Sequence, residues 1–297
     1  MDDKKTGIKQ NLTNYGDLGF STFLRKSFIK GLGYSDEMLD KPIVGIINTF
    51  SDYNSCHGNV PDLIQSVRAG ILAKGAIPLE FPTISVHEAF SYPTSMYLRN
   101  LMAMDTEEMI RAQPMDSCVL IGGCDKTVPA QLMGALSVDM PVIQLVTGPM
   151  LTGSHRGERV GACTDCRRLW AKFRADEIDE AEINEANNQL VPTVGTCGVM
   201  GTASTMAMIA ETLGMMPPDS SCAPAVSSER RRISEKTGQI AVDIAINKRR
   251  PSSILTAKSF ENALMVLLAI GGSTNALIHL AAIAGRMGIK LDMESFD

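Results

Sequence analysis

The sequence predicts an α/β fold: a mostly parallel sheet flanked by helices. Two observations carry this. Short continuous apolar runs, of the kind shown by strands buried on both faces, recur along the chain. Each leads into a polar or glycine-containing turn and then into apolar residues at helical spacing, the grammar of successive βα units. A length of 297 residues suits one large core.

The first 40 residues are polar and read as an N-terminal arm with a short helix around Phe20 to Gly31. The α/β domain is expected over residues 41–297. Its first unit is the apolar run Pro42 to Asn48 (PIVGIIN), a polar turn containing Cys56, and a helix over Pro61 to Lys74. That helix places Leu63, Ile64, Val67, Ile71 and Leu72 on one face. A second unit pairs the strand Ser117 to Ile121 with the turn Gly122 to Thr127 and a helix over Val128 to Val138, with proline near its start. Pro141 to Val146 supplies another strand, and Ala175 to Asn188 reads as an acidic exposed helix. In a third unit Leu190 to Val194 leads into Gly195 to Thr205 (GTCGVMGTAST), followed by a helix over Thr205 to Leu213 that Gly214 closes. Pro217 to Lys236 reads as a loop running into a basic helix, with Arg230, Arg231 and Arg232 on a solvated charged face.

Composition narrows the class. Apolar residues at 44% and charged residues at 21% are ordinary for a globular protein. With 28 Lys and Arg against 33 Asp and Glu, the net charge is −5 and the bases are interleaved with acids, which argues against a nucleic-acid partner. The longest apolar stretch, Ala263 to Ile270, is far below the roughly 20 residues of a membrane span. The N-terminus carries no apolar leader core, so a cytoplasmic location is expected. Seven widely spaced cysteines, an odd count, read as reduced thiols rather than as a disulfide framework.

In open α/β sheets ligands bind beyond the carboxyl ends of the strands, and Cys56, Cys124 and Cys197 all fall at such turns. Each precedes a helix, where the dipole favours a thiolate. Around Cys124 the run Gly122, Gly123, Cys124, Asp125, Lys126, Thr127 offers sulfur, carboxylate and amine on a backbone that a bound group can approach closely. It is not a phosphate-binding P-loop, because the residue before Lys126 is Asp rather than Gly. A tight turn with a buried cysteine and a surface ion pair is the plainer alternative. Glu88, in the segment Ser85 to Phe90 (SVHEAF), is a candidate hard-cation ligand together with Asp125. His87 reads as a hydrogen-bonded structural residue. Cys163 and Cys166 form a C-x-x-C without a second pair, so they read, with Cys118 and Cys222, as non-ligands.

Four ordered segments, NSCHGN, GGCDKTVPA, GTCGVMGTASTM and GGSTNALIHL, resemble the dihydroxy-acid and sugar-acid dehydratase family from about residue 40 onward. The resemblance implies that Cys56, Cys124 and Cys197 hold an iron–sulfur cluster, [2Fe–2S] by preference and [4Fe–4S] as the alternative. It implies a Mg²⁺ site at Glu88, Asp125 and Lys126, with Lys126 carbamylated so that a cation becomes an oxygen ligand. Three thiolates leave one iron position open to act as a Lewis acid on the leaving hydroxyl. Loss of a proton from C2 and of water then gives an enol that tautomerises to a 2-keto-3-deoxy acid, with no nicotinamide. The segments from Ser85 to Asp116 and from Thr164 to Asp179 are most similar to the sugar-acid branch, acting on aldonates such as arabinonate or xylonate. Dihydroxy-acid dehydratase of branched-chain amino-acid synthesis is the alternative. Members of the family continue into a second, β-rich domain that carries a further Mg²⁺ ligand and a serine base. That domain is expected to be absent here, leaving no base in this chain and implying either a homo-oligomer or a complementing C-terminal half as partner. A non-catalytic cluster-binding fragment is the reading from a different class.

Overall fold

The computed structural model describes residues 6–12, 16–291 and 294. At its centre is a sheet of four parallel strands: β1 (Ile43–Asn48), β2 (Ile77–Pro82), β3 (Ser117–Gly122) and β4 (Val142–Val146), in the spatial order β2-β1-β3-β4. The expected fold class is therefore the observed one. Alternation along β1 explains why its run is apolar without a break: Ile43 and Ile47 join one buried cluster, Val44 and Ile46 the other. β3 behaves likewise, with Cys118 and Leu120 on the first face and Val119 and Ile121 on the second.

Helices cover both faces. On one lie α2 (Val60–Ala73) and α8 (Ser228–Ile246). Their backbones approach so closely that a Cβ on Gly238 would fall 2.3 Å from the Val67 carbonyl oxygen. The other face is thicker: α3 (Arg99–Ala112) and α4 (Thr127–Val138) form the inner layer, backed by α7 (Thr202–Thr212), α9 (Ala257–Ala269) and α10 (Asn275–Arg286). The helix α4 is buried from Thr127 through Leu136, so its position is fixed from all sides. Its lone interior amide, Gln131, donates to the Ile121 carbonyl at 2.8 Å and accepts from Gln144 at 2.9 Å, which removes the cost of burying it.

A satellite stands beside β4. The hairpin of β5 (Gly153–His155) and β6 (Glu158–Val160) packs with α5 (Asp165–Arg174) and α6 (Glu180–Leu190) around Val160, Leu169, Ala186 and Leu190. The acidic helix expected over residues 175–188 begins later, at Glu180, because Asp176 adopts a left-handed conformation (φ 56°) that separates it from α5.

The segment before residue 41 carries α1 (Leu18–Gly31), close to the helix expected there, and it is not detached from the core. Ile8 and Leu39 are buried in the larger cluster, and the half-buried Asp116 carboxylate accepts from the Gly7 N–H at 2.9 Å and the Ile43 N–H at 2.8 Å. Arg230 also departs from the expected solvated face. It is fully buried, donates to the Ala223 carbonyl, and desolvation lowers its pKa to about 10, whereas Arg231 and Arg232 are exposed.

Candidate metal centre

The carboxyl ends of β1, β3 and β4 meet the N-termini of α2, α4 and α7, and the three cysteines converge there. Cys56 sits in a short 3₁₀ turn (Ser55–His57) after β1, and Cys124 follows β3 by two residues. Cys197 arrives by a different route from the one expected. Residues 191–194 form no strand: α6 ends at Leu190, and the following segment reaches the sheet edge by lying beside the continuation of β4. There the Thr196 N–H donates to the Gly148 carbonyl at 2.9 Å, and the Met150 N–H donates to the Thr196 carbonyl at 2.9 Å. The Gly195 N–H donates to the Ser55 carbonyl at 3.1 Å, tying this segment to the turn that carries Cys56.

The thiols form one contact set. Cys56 is buried and shares hydrogen bonds first with Cys124 and then with Cys197, which together with desolvation push it well above the ordinary thiol range. Cys197 moves the other way: hydrogen bonds from Cys163 and Cys56 hold it well below that range. Cys163, read from the sequence as a bystander, has its sulfur 3.4 Å from that of Cys197.

His57 organises the Cys124 loop. Its Nε2 accepts from the Gly123 N–H at 2.9 Å and from the Cys124 N–H at 3.0 Å, which places its proton on Nδ1, where the Thr49 carbonyl accepts it at 2.9 Å. Full burial lowers its pKa to about 4, so it is neutral at pH 7. Gly123 is required for close approach: a Cβ there would lie 1.8 Å from Thr147 Oγ1.

The hard donors begin one residue later. The Cys124 thiol donates to Asp125 Oδ1 at 3.6 Å, while Asp125 Oδ2 accepts from Lys126 Nζ at 2.5 Å. Lys126 Nζ also donates to Glu88 Oε2 at 3.2 Å. Burial would raise the Glu88 pKa, but hydrogen bonds from Ser95 and Thr94 and the charge of Lys126 outweigh it and hold Glu88 down to about 2. His87 caps the turn that carries Glu88, accepting from the Ala89 N–H at 3.1 Å.

Among the described residues no group of three or more His, Cys, Asp or Glu side chains stands as a preformed metal cage. On the hard side the reason is visible, since the Lys126 ammonium lies against both carboxylates. By donor chemistry the site still divides cleanly: three contacting soft thiols suit iron, and two carboxylates beside a lysine suit a hard cation once that lysine offers oxygen instead of charge.

The fourth motif closes the site from α10. Ser273 Oγ lies 2.8 Å from Thr202 Oγ1, and the Ser273 N–H donates to Thr205 Oγ1 at 3.0 Å. His279 accepts at Nδ1 from Arg99 at 2.9 Å. Arg99 and His57 carry no sequence signal as site residues beyond the position of His57 next to Cys56. A cavity of about 370 Å³ opens against Cys197, lined by methionines (Met150, Met200, Met208) and by the hydroxyls of Thr196 and Ser204.

Against this geometry, a family model described as "Dihydroxy-acid/6-phosphogluconate dehydratase N-terminal" matches residues 41–297. The chain belongs to that family. It is 45% identical over 284 residues to an L-arabinonate dehydratase of Rhizobium leguminosarum bv. trifolii, covering 95% of this chain and 49% of the relative. A 6-deoxy-6-sulfo-D-gluconate dehydratase of Pseudomonas putida is 43% identical over 259 residues, 87% of this chain and 45% of the relative. A dihydroxy-acid dehydratase of Natronomonas pharaonis is 36% identical over 277 residues, 92% and 46% of the two chains. The chain thus spans about half the length of the curated relatives it matches, and the half it matches is the family's N-terminal one.

Proposed function

We propose that this chain is the metal-binding half of a sugar-acid dehydratase, a hydro-lyase that converts an aldonate to a 2-keto-3-deoxy acid. Cys56, Cys124 and Cys197 hold an iron–sulfur cluster, [2Fe–2S] in the favoured form, and Glu88, Asp125 and carbamylated Lys126 hold Mg²⁺. The observation that carries the reading is the continuity of Cys124, Asp125 and Lys126, which sets soft and hard donors side by side at the N-terminus of the buried helix α4. Higher identity to the arabinonate and sulfogluconate enzymes than to the dihydroxy-acid enzyme supports a sugar acid as substrate.

When bound, the cluster supplies an iron with an open position as Lewis acid for the leaving hydroxyl, and Mg²⁺ supplies a point charge for the substrate carboxylate. The chain's own residues do the positioning. Neutral His57 takes up the two N–H groups of Gly123 and Cys124 and so fixes the direction of the Cys124 sulfur. Asp125 couples that sulfur to Lys126 through its two oxygens, and Ser95 orients Glu88 through its N–H at 3.0 Å. Seven free thiols fit a reducing compartment such as the cytoplasm. We assign the base to the half of the relatives' length that this chain does not span.

The test is anaerobic reconstitution of the purified chain with iron and sulfide, followed by iron analysis and visible absorbance. The parent chain is expected to gain cluster absorbance, and the Cys124→Ser variant to lose most of it; an unchanged spectrum in that variant would remove Cys124 from the ligand set. Formation of 2-keto-3-deoxy acid from arabinonate or xylonate is expected once a C-terminal half is supplied. Turnover of a branched-chain dihydroxy acid instead would overturn the substrate assignment.

A further inference from the structure

We propose that Cys163 and Cys197 are the two halves of a reversible disulfide, a modification site at the outer end of the row of thiols. Cys197 lies between two potential partners, since it contacts Cys56 on one side and Cys163 on the other. Access separates them. Cys56 and Cys124 are buried, Cys197 is half-buried and Cys163 is exposed, so a small oxidant in solution meets the outer pair first. Closing the pair requires the sulfurs to move from 3.4 Å to a bond of about 2.05 Å. Cys163 lies exposed on the loop between β6 and α5.

The neighbouring Cys166 does not compete. It packs among the partly buried side chains of the satellite core around Val160, Leu169, Ala186 and Leu190, whereas the Cys163 sulfur faces the metal-centre loop. The C-x-x-C spacing therefore serves two different structures rather than one dithiol.

The oxidant is a low-molecular-weight disulfide such as oxidised glutathione. Cys163, the exposed member of the pair, loses its proton to solvent and attacks one of its sulfurs, forming a mixed disulfide and expelling one glutathione thiolate. Cys197, 3.4 Å away, then gives up its proton and attacks Cys163 Sγ, forming the protein disulfide and expelling the second. Two protein thiols are oxidised, one glutathione disulfide is reduced to two thiols, and an excess of reduced glutathione reverses both steps. The existence of this bond does not depend on the proposed function. Its consequence does: with Cys197 joined to Cys163, that sulfur is no longer available to iron, so cluster loading waits on reduction.

The experiment equilibrates the metal-free full chain with glutathione at increasing oxidised fraction, then alkylates free thiols and maps linked peptides by mass spectrometry. The expected result is loss of two thiols and a Cys163–Cys197 peptide, which persists in Cys166→Ala and is absent in Cys163→Ala. No link at any ratio, or one mapping to Cys163–Cys166 or Cys56–Cys197, overturns the proposal. Iron uptake separates the second claim. The oxidised parent chain should load little iron until reduced, while Cys163→Ala loads it under the same oxidising conditions. Equal uptake by oxidised and reduced chains overturns the gating role. If the link forms but even the reduced chain takes up no iron, the modification site stands and the cluster assignment fails.

Discussion

Replacing His57 with leucine probes how the Cys124 loop is held. The ring accepts two buried N–H groups, those of Gly123 and Cys124, at 2.9 and 3.0 Å. Leucine fills a similar volume and accepts neither. A buried donor left without a partner costs about 1–3 kcal/mol, so the two together cost about 2–6 kcal/mol. That is a large share of the roughly 5–15 kcal/mol by which a domain is usually stable. With a urea dependence of about 3 kcal/mol per molar, the unfolding midpoint should fall by roughly 0.7–2 M. Hydrogen exchange supplies the local readout: the Gly123 and Cys124 amides should lose protection well before the β3 amides do. His57→Gln, whose Oε1 accepts, should recover part of the midpoint. If the leucine variant unfolds within 1 kcal/mol of the parent and both amides stay protected, the loop is held by something other than this ring.

Three further outcomes are expected. Gly123→Ala places a methyl 1.8 Å from Thr147 Oγ1 and 3.0 Å from Thr196 Cγ2, and should cost at least about 1–3 kcal/mol; adding Thr147→Ala should return part of it in the same urea assay. Gly238→Ala drives a methyl against the Val67 carbonyl and should cost about 1–3 kcal/mol by prising α8 from α2, whereas a neutral thermal scan would mean that the two helices do not approach as described. Stability should also depend on pH through His279, whose burial, with the charges of Arg99 and Lys126, lowers its pKa from 6.5 to about 3. The unfolded chain binds the extra proton, so stability is complete above pH 6.5 and declines as pH falls toward 3, by up to roughly 5 kcal/mol. Urea midpoints at pH 7 and pH 4.5 should converge in His279→Gln, and equal declines in variant and parent would refute the assignment.

How much of this was legible depends on what each residue answers to. β1, β3 and β4 could be read because parallel strands buried on both faces leave uninterrupted apolar runs. β2 could not: both β2 and β4 are edge strands, but β4 is buried along its whole length whereas β2 carries prolines at 78 and 82 and the exposed Glu80, which an edge tolerates and which break the pattern. The turns of Cys56 and Cys124 were legible because each follows such a strand. The segment of Cys197 follows no strand of its own, and the backbone pairing of Thr196 with Pro149 that brings it to the sheet edge is long-range and leaves no local periodicity. The same holds for Cys163, whose nearest sulfur in space belongs to another motif. Arg99 is a single charged residue in a helix, and nothing local says that a histidine from α10 will meet it.

The helix α4 begins one residue after Lys126 and stays buried for almost three turns. Cys124, Asp125 and Lys126 therefore lead directly into a helix held on all sides, and the spacing of their Cα atoms is set by peptide geometry rather than by adjustable side-chain packing. A substitution elsewhere can tilt this platform but cannot spread it. The sulfur of Cys124 and the oxygens of Asp125 are thus neighbours along one backbone, joined further by the contact of the Cys124 thiol with Asp125 Oδ1.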